Sequence, residues 1–117
     1  MAASPLNLTM EQGADFEITV TVRNKNNVPL NLLGYSAESE VRKHYSSTTS
    51  RPFTVTFVDR QNGRISLSMH HSITAGLNEG RYVYDIVLIS PNDLRTRVIQ
   101  GTILVSPGVS WKWQIIT

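Results

Sequence analysis

The sequence predicts an all-β sandwich of about seven strands followed by an extended C-terminal tail. Three observations carry this. Apolar and polar residues alternate with a period of two through most of the chain, turn-forming residues interrupt the alternation at short intervals, and only one short stretch, HHSITAGL, departs from it. At 117 residues the chain has the length of one domain. We place the sandwich over residues 1–107 and an extended arm over residues 108–117.

The elements follow in order. Asn7 to Thr9 matches a glycosylation triplet, but such triplets are common by chance and this one reads as part of the first strand. DFEITVTVR is the clearest strand, with Phe16, Ile18, Val20 and Val22 on one side and Glu17, Thr19, Thr21 and Arg23 on the other. Gly13 and Gly34 stand where the chain has to turn sharply, so positive φ is expected at both. YSAESEVRK reads as a strand, HYSSTTSRP as a polar, mobile loop, and PFTVTFV as another strand with Phe53, Val55 and Phe57 on one face. Asn62-Gly63 is a hairpin signal ahead of the alternating Ile65, Leu67 and Met69. In HHSITAGL a single helical turn is expected, capped by Ser72. RYVYDIVLI and RVIQGTILV close the sandwich, joined by SPND as a turn. The core is expected to contain Phe16, Ile18, Val20, Val22, Phe57, Leu67, Tyr84 and Ile86.

The spacing Asn78, Gly80, Tyr82, Tyr84 narrows the sandwich to an immunoglobulin-like one. It resembles a tyrosine corner, in which a Tyr two residues before the inter-sheet cysteine position bonds back to the preceding turn, here Tyr82 to Asn78. Tyr84 stands where that cysteine would be. The chain has no cysteine, so disulfides, thiolate metal sites and a cysteine nucleophile are excluded and packing alone has to hold the sheets together.

Composition and motifs argue against most chemistry. No apolar run approaches the roughly 18 residues of a membrane-spanning helix, and MAASPLNLTM lacks the basic and apolar regions of a secretory leader, so a soluble protein made in a cytoplasm is expected. Eleven Lys and Arg against nine Asp and Glu leave a charge of +2, and pairs such as Arg95 with Arg97, or Arg42 with Lys43, are too scattered for a phosphate-tracking surface. Nucleic acid is therefore not an expected partner. On a strand, His70 and His71 would face opposite ways and could not share an ion without a bend, so a surface or loop role is expected for them and no metal site is assigned. Glu38 and Glu40 would share one strand face, read as solvated because nothing nearby splits their pKa values. Neither a nucleophile elbow nor a phosphate-cradling glycine loop occurs, so no catalytic or cofactor-binding residue is assigned and no enzyme is expected.

Three stretches, EQGADFE, VPLNLLGY and GRYVYDI, give the chain a family resemblance. Over about residues 6–107 it resembles small immunoglobulin-like modules encoded among the virion structural genes of tailed bacteriophages, with a plan similar to the N-terminal domain of baseplate upper proteins. The resemblance implies a non-enzymatic, cofactor-free structural protein of the virion, synthesised in the host cytoplasm. It would be a homo-oligomer or multicopy part of the particle, binding other virion proteins in the tail, baseplate or fibre attachment. A head decoration protein, or a recognition module that binds a host glycan or receptor through its loops, are the alternatives it leaves open.

The tail is the remaining candidate site. In VSWKWQIIT, Trp111, Trp113 and Ile115 fall on one face of an extended segment, with Ile116 beside them. These four residues are expected to bind a partner, with docking onto the chain's own sheet as the alternative. If they bind a partner, truncation after Pro107 leaves the melting temperature nearly unchanged and stops incorporation into particles or oligomers. Replacing either Trp should weaken association by about 2 kcal/mol or more. A melting curve and a sedimentation assay on the same truncated protein check both statements.

Overall fold

A computed structural model describes residues 4–108. The arm residues Trp111, Trp113, Ile115 and Ile116 lie outside the described residues. Among the described residues, nine strands, β1 (Ser4–Pro5), β2 (Leu8–Glu11), β3 (Phe16–Thr21), β4 (Ser36–Arg42), β5 (Arg51–Pro52), β6 (Thr54–Asp59), β7 (Arg64–Met69), β8 (Gly80–Ile89) and β9 (Arg95–Ser106), form two sheets. The larger runs β1-β9-β8-β4-β5, with β2 also on β9, and the smaller runs β3-β7-β6. Apart from β1 and β2, which lie parallel to β9, all pairings are antiparallel. With β3-β7-β6 opposing β9-β8-β4, the strands follow the B-E-D against G-F-C plan of an immunoglobulin-like sandwich, and the fold is of that class.

Alternation translates into layers. Along β8, Tyr82, Tyr84, Ile86 and Leu88 are buried while Val83, Asp85, Val87 and Ile89 are half-buried on the outer side. Ile65, Leu67 and Met69 of β7 meet them from the smaller sheet, and Met10, Leu32, Val41, Phe53, Leu77, Val98, Ile99, Ile103 and Val105 are buried with them. Of the expected core, Phe16, Val22, Leu67, Tyr84 and Ile86 are buried; Ile18, Val20 and Phe57 are half-buried and pack against it, because β3 and β6 are the outer strands of the smaller sheet.

Several local expectations change form. PFTVTFV is two strands rather than one: β5 belongs to the larger sheet and β6 to the smaller, and Phe53 marks the crossing, its amide donating to the Ser39 carbonyl at 3.0 Å. The β6–β7 connection is not a two-residue Asn-Gly turn. A 3-10 turn over Arg60–Asn62 precedes Gly63, which alone takes the left-handed conformation (φ 68°), and the register shifts between Phe57 and Asp59. The single helical turn α1 (His71–Thr74) is capped by His70, not Ser72: the His70 side chain accepts from the Ser72 amide. Gly13 and Gly34 both have φ of 81°.

The first strand is interrupted at Leu6 and Asn7, where it crosses β9 at Gly101. A Cβ at that position would collide with the Leu6 carbonyl oxygen, so only glycine fits. The Asn7 carboxamide oxygen accepts from the Thr102 amide and hydroxyl, both at 3.1 Å. From below, the Tyr84 hydroxyl donates to the Leu6 carbonyl at 2.6 Å. The Tyr82 hydroxyl donates to the Asn78 carbonyl at 2.8 Å, tying β8 to the turn that precedes it.

Burial pushes the Tyr84 phenol up to about 12. Between its ordinary 10 and that value the folded protein keeps a proton that the unfolded chain loses, so this contribution to stability is present below pH 10 and is lost as pH rises through about 12. Spectrophotometric titration should show one tyrosine ionising near pH 12, absent from Tyr84→Phe. That variant strands the Leu6 carbonyl and should lose about 1 to 2 kcal/mol in denaturant unfolding at neutral pH.

Candidate functional site

The outer face of the larger sheet is lined with charge. On β4, Glu38, Glu40 and Arg42 point away from the core; they pair in register with Val87, Asp85 and Val83 of β8. On β9, a bulge at Val98 turns Val98 and Ile99 inward and leaves Arg95 and Arg97 on the outer face. Arg95 bridges to Glu38 at 2.7 Å, Arg97 to Asp85 at 3.0 Å, and Arg42 to Glu40 at 2.9 Å. Together with Tyr45 these residues line a shallow depression of about 660 Å³.

Tyr45 is 71% exposed, in the loop after β4. The start of that loop, read from sequence as mobile, is a hydrogen-bonded turn. The Ser47 amide donates to the His44 carbonyl at 3.0 Å, the His44 amide donates to the Ser47 hydroxyl at 2.9 Å, and the Arg42 guanidinium donates to the Ser47 carbonyl.

Within this face, the Glu38–Arg95 pair favours permanent charge. The Arg95 guanidinium hydrogen-bonded to Glu38 holds its carboxyl below the ordinary 4.5, and Glu38 in turn raises Arg95. A general acid at neutral pH needs the opposite, a carboxyl pushed upward by burial. Exposed pairs of this kind add little stability singly; together they pattern the face with three carboxylates interleaved with three guanidinium groups.

A second cluster corrects the sequence argument about His70 and His71. The strand ends at Met69 and the chain bends at His70 (φ −68°, ψ 149°) into α1, so the two imidazoles do not diverge; their rings lie 3.9 Å apart. Asp15, in the turn leading to β3, joins them. One carboxylate oxygen accepts from the His71 amide at 2.7 Å and lies 2.9 Å from His71 Nδ1, and these bonds hold the Asp15 carboxyl below its ordinary value.

No protein-family model matches the chain, and no curated protein sequence matches it. Among solved structures it is similar to the Lin-41 filamin domain, at 20% identity and a TM-score of 0.48, over 86% of this chain and 84% of that one.

The Glu38–Arg95 pair has a defined pH signature. A lowered carboxyl pKa means that the contribution of the pair is present above the ordinary 4.5 and is lost as pH falls through the lowered value. In an NMR titration the Glu38 carboxyl should have its midpoint below 4.5, and Arg95→Ala should move it upward.

Proposed function

We propose that the chain is a non-enzymatic structural protein of a bacteriophage virion, and that it binds other particle proteins through the outer face of its larger sheet. The observation that carries the binding reading is the ion-paired face itself. Alternating fixed charges on a rigid sheet give a partner register and orientation, while the lowered carboxyl of Glu38 suits no proton-transfer role. The virion reading is supported by the resemblance of EQGADFE, VPLNLLGY and GRYVYDI, and by the immunoglobulin-like plan that it implies. Tail, baseplate and fibre attachment are the proposed locations, with head decoration distinguished from them by which particle protein is bound.

One observation favours a second reading. Tyr45 presents an exposed ring beside Glu40, Arg42 and Asp85, a combination of stacking surface and hydrogen-bonding groups suited to a host glycan.

The test is the double charge reversal Arg95→Glu with Arg97→Glu. Both side chains are exposed, so the variant should fold and remain monodisperse, while co-assembly with the head, tail and baseplate proteins should weaken about tenfold or more through like-charge contacts. Unchanged co-assembly by this folded variant would overturn the use of this face. Glycan binding by the wild type that is lost in Tyr45→Ala would establish the second reading instead.

A further inference from the structure

We propose that Asp15, His70 and His71 form a surface site for a divalent transition metal, with Zn²⁺ the best-suited ion. One ligand atom from each of the three lies within 4.8 Å of the other two, and all three side chains are exposed. Two imidazoles and a carboxylate are the nitrogen and oxygen donors that Zn²⁺ accepts, and three protein ligands leave a fourth, solvent-filled position.

The distances suit the ion. Zinc bonds of roughly 2.0 to 2.1 Å arranged tetrahedrally separate neighbouring ligand atoms by about 3.3 Å. His71 Nδ1 and the Asp15 carboxylate oxygen are 2.9 Å apart, so replacing the shared proton by the ion opens that pair by a few tenths of an ångström. The His70 ring, its centroid 3.9 Å from that of His71 and tilted 36° to it, closes the remaining gap by rotation of an exposed side chain.

The cluster is built from two segments fixed to one another beneath the surface. Thr74 is fully buried, and its hydroxyl accepts from the Gly13 amide at 3.1 Å and donates to the Ala14 carbonyl at 2.9 Å. Gln12 adds a bond from its side-chain amide to the Leu77 carbonyl at 2.9 Å. These contacts hold the turn before β3 against α1, so the carboxylate on one and the imidazoles on the other are prepositioned. A bound ion would clamp the β2–β3 turn to α1 across a sequence separation of 56 residues.

The experiment titrates the full, tag-free chain with ZnCl₂ by calorimetry and follows histidine ring resonances by NMR. The expected result is one saturable site per chain, ring shifts at His70 and His71 but not His44, a higher melting temperature with Zn²⁺, and none of these with Mg²⁺. Asp15→Asn and His71→Ala should weaken binding about tenfold or more. Because both touch the bonds that seat α1, the deciding variant is His70→Asn, which keeps an effective helix cap while removing a ligand. It should fold as the wild type does and bind Zn²⁺ about tenfold or more weakly. Absence of saturable binding by the wild type, unchanged affinity in His70→Asn, or dependence on His44 would each overturn the site.

Discussion

The sandwich depends on one contact between its sheets. Phe16 on β3, Phe53 at the crossing between β5 and β6, and Tyr84 on β8 form a chain of rings, with centroids 5.7 Å apart for the first pair and 6.3 Å, edge to face, for the second. Aromatic pairs in such geometries contribute about 0.5 to 1.5 kcal/mol beyond the area they bury. Tyr84 occupies the position at which many immunoglobulin-like domains place a disulfide, and the ring chain spans the same gap without covalent chemistry. Its polar end has a further role: the Tyr84 hydroxyl reaches Leu6, so the residue that joins the two sheets also holds the first strand in place.

Much of this fold was legible in the sequence because an antiparallel strand with one buried face writes its environment as alternation. Strands β3, β4, β7, β8 and the second half of β9 could be read in this way. The failures have physical causes. Leu6, Leu8 and Met10 turn toward the core and alternate with exposed Asn7, Thr9 and Glu11, so the first strand could be read as a strand, but alternation carries no sign that β1 and β2 pair in parallel with β9. Phe53, at the crossing between sheets, falls in the same alternation as Val55 and Phe57 of β6, so the change of sheet leaves no mark on the pattern. Asn62-Gly63 marked the right place for a turn but not its shape, because the 3-10 turn uses the left-handed conformation only at Gly63.

The charged face was half legible. Two residues of spacing put Glu38 and Glu40 on one side of a strand. Their surroundings could not be read, since Arg95, Arg97 and Ile99 share parity and unbroken alternation would send both guanidinium groups inward with Ile99. The bulge at Val98 reverses this, and no local feature of RVIQGTILV announces it. Similarly, the argument that adjacent histidines diverge holds only within a strand. It failed one residue past Met69, and Asp15 entered the cluster from a part of the chain that spacing could not connect to it.

The pairing of β2 with β9 also decides how the domain bears load. Leu8 to Glu11 run parallel to Ile103 to Ser106, flanked by backbone bonds from Leu6 to Gln100 and from Gln12 to Ser106. Tension applied upstream of Leu8 and downstream of Ser106 pulls these two strands along their length in opposite directions. Their hydrogen bonds are then strained in shear, side by side, rather than unzipped one after another, so rupture requires several to fail together. This geometry makes a small disulfide-free sandwich mechanically stiff along one axis and much weaker to a pull that peels β6 from its sheet edge.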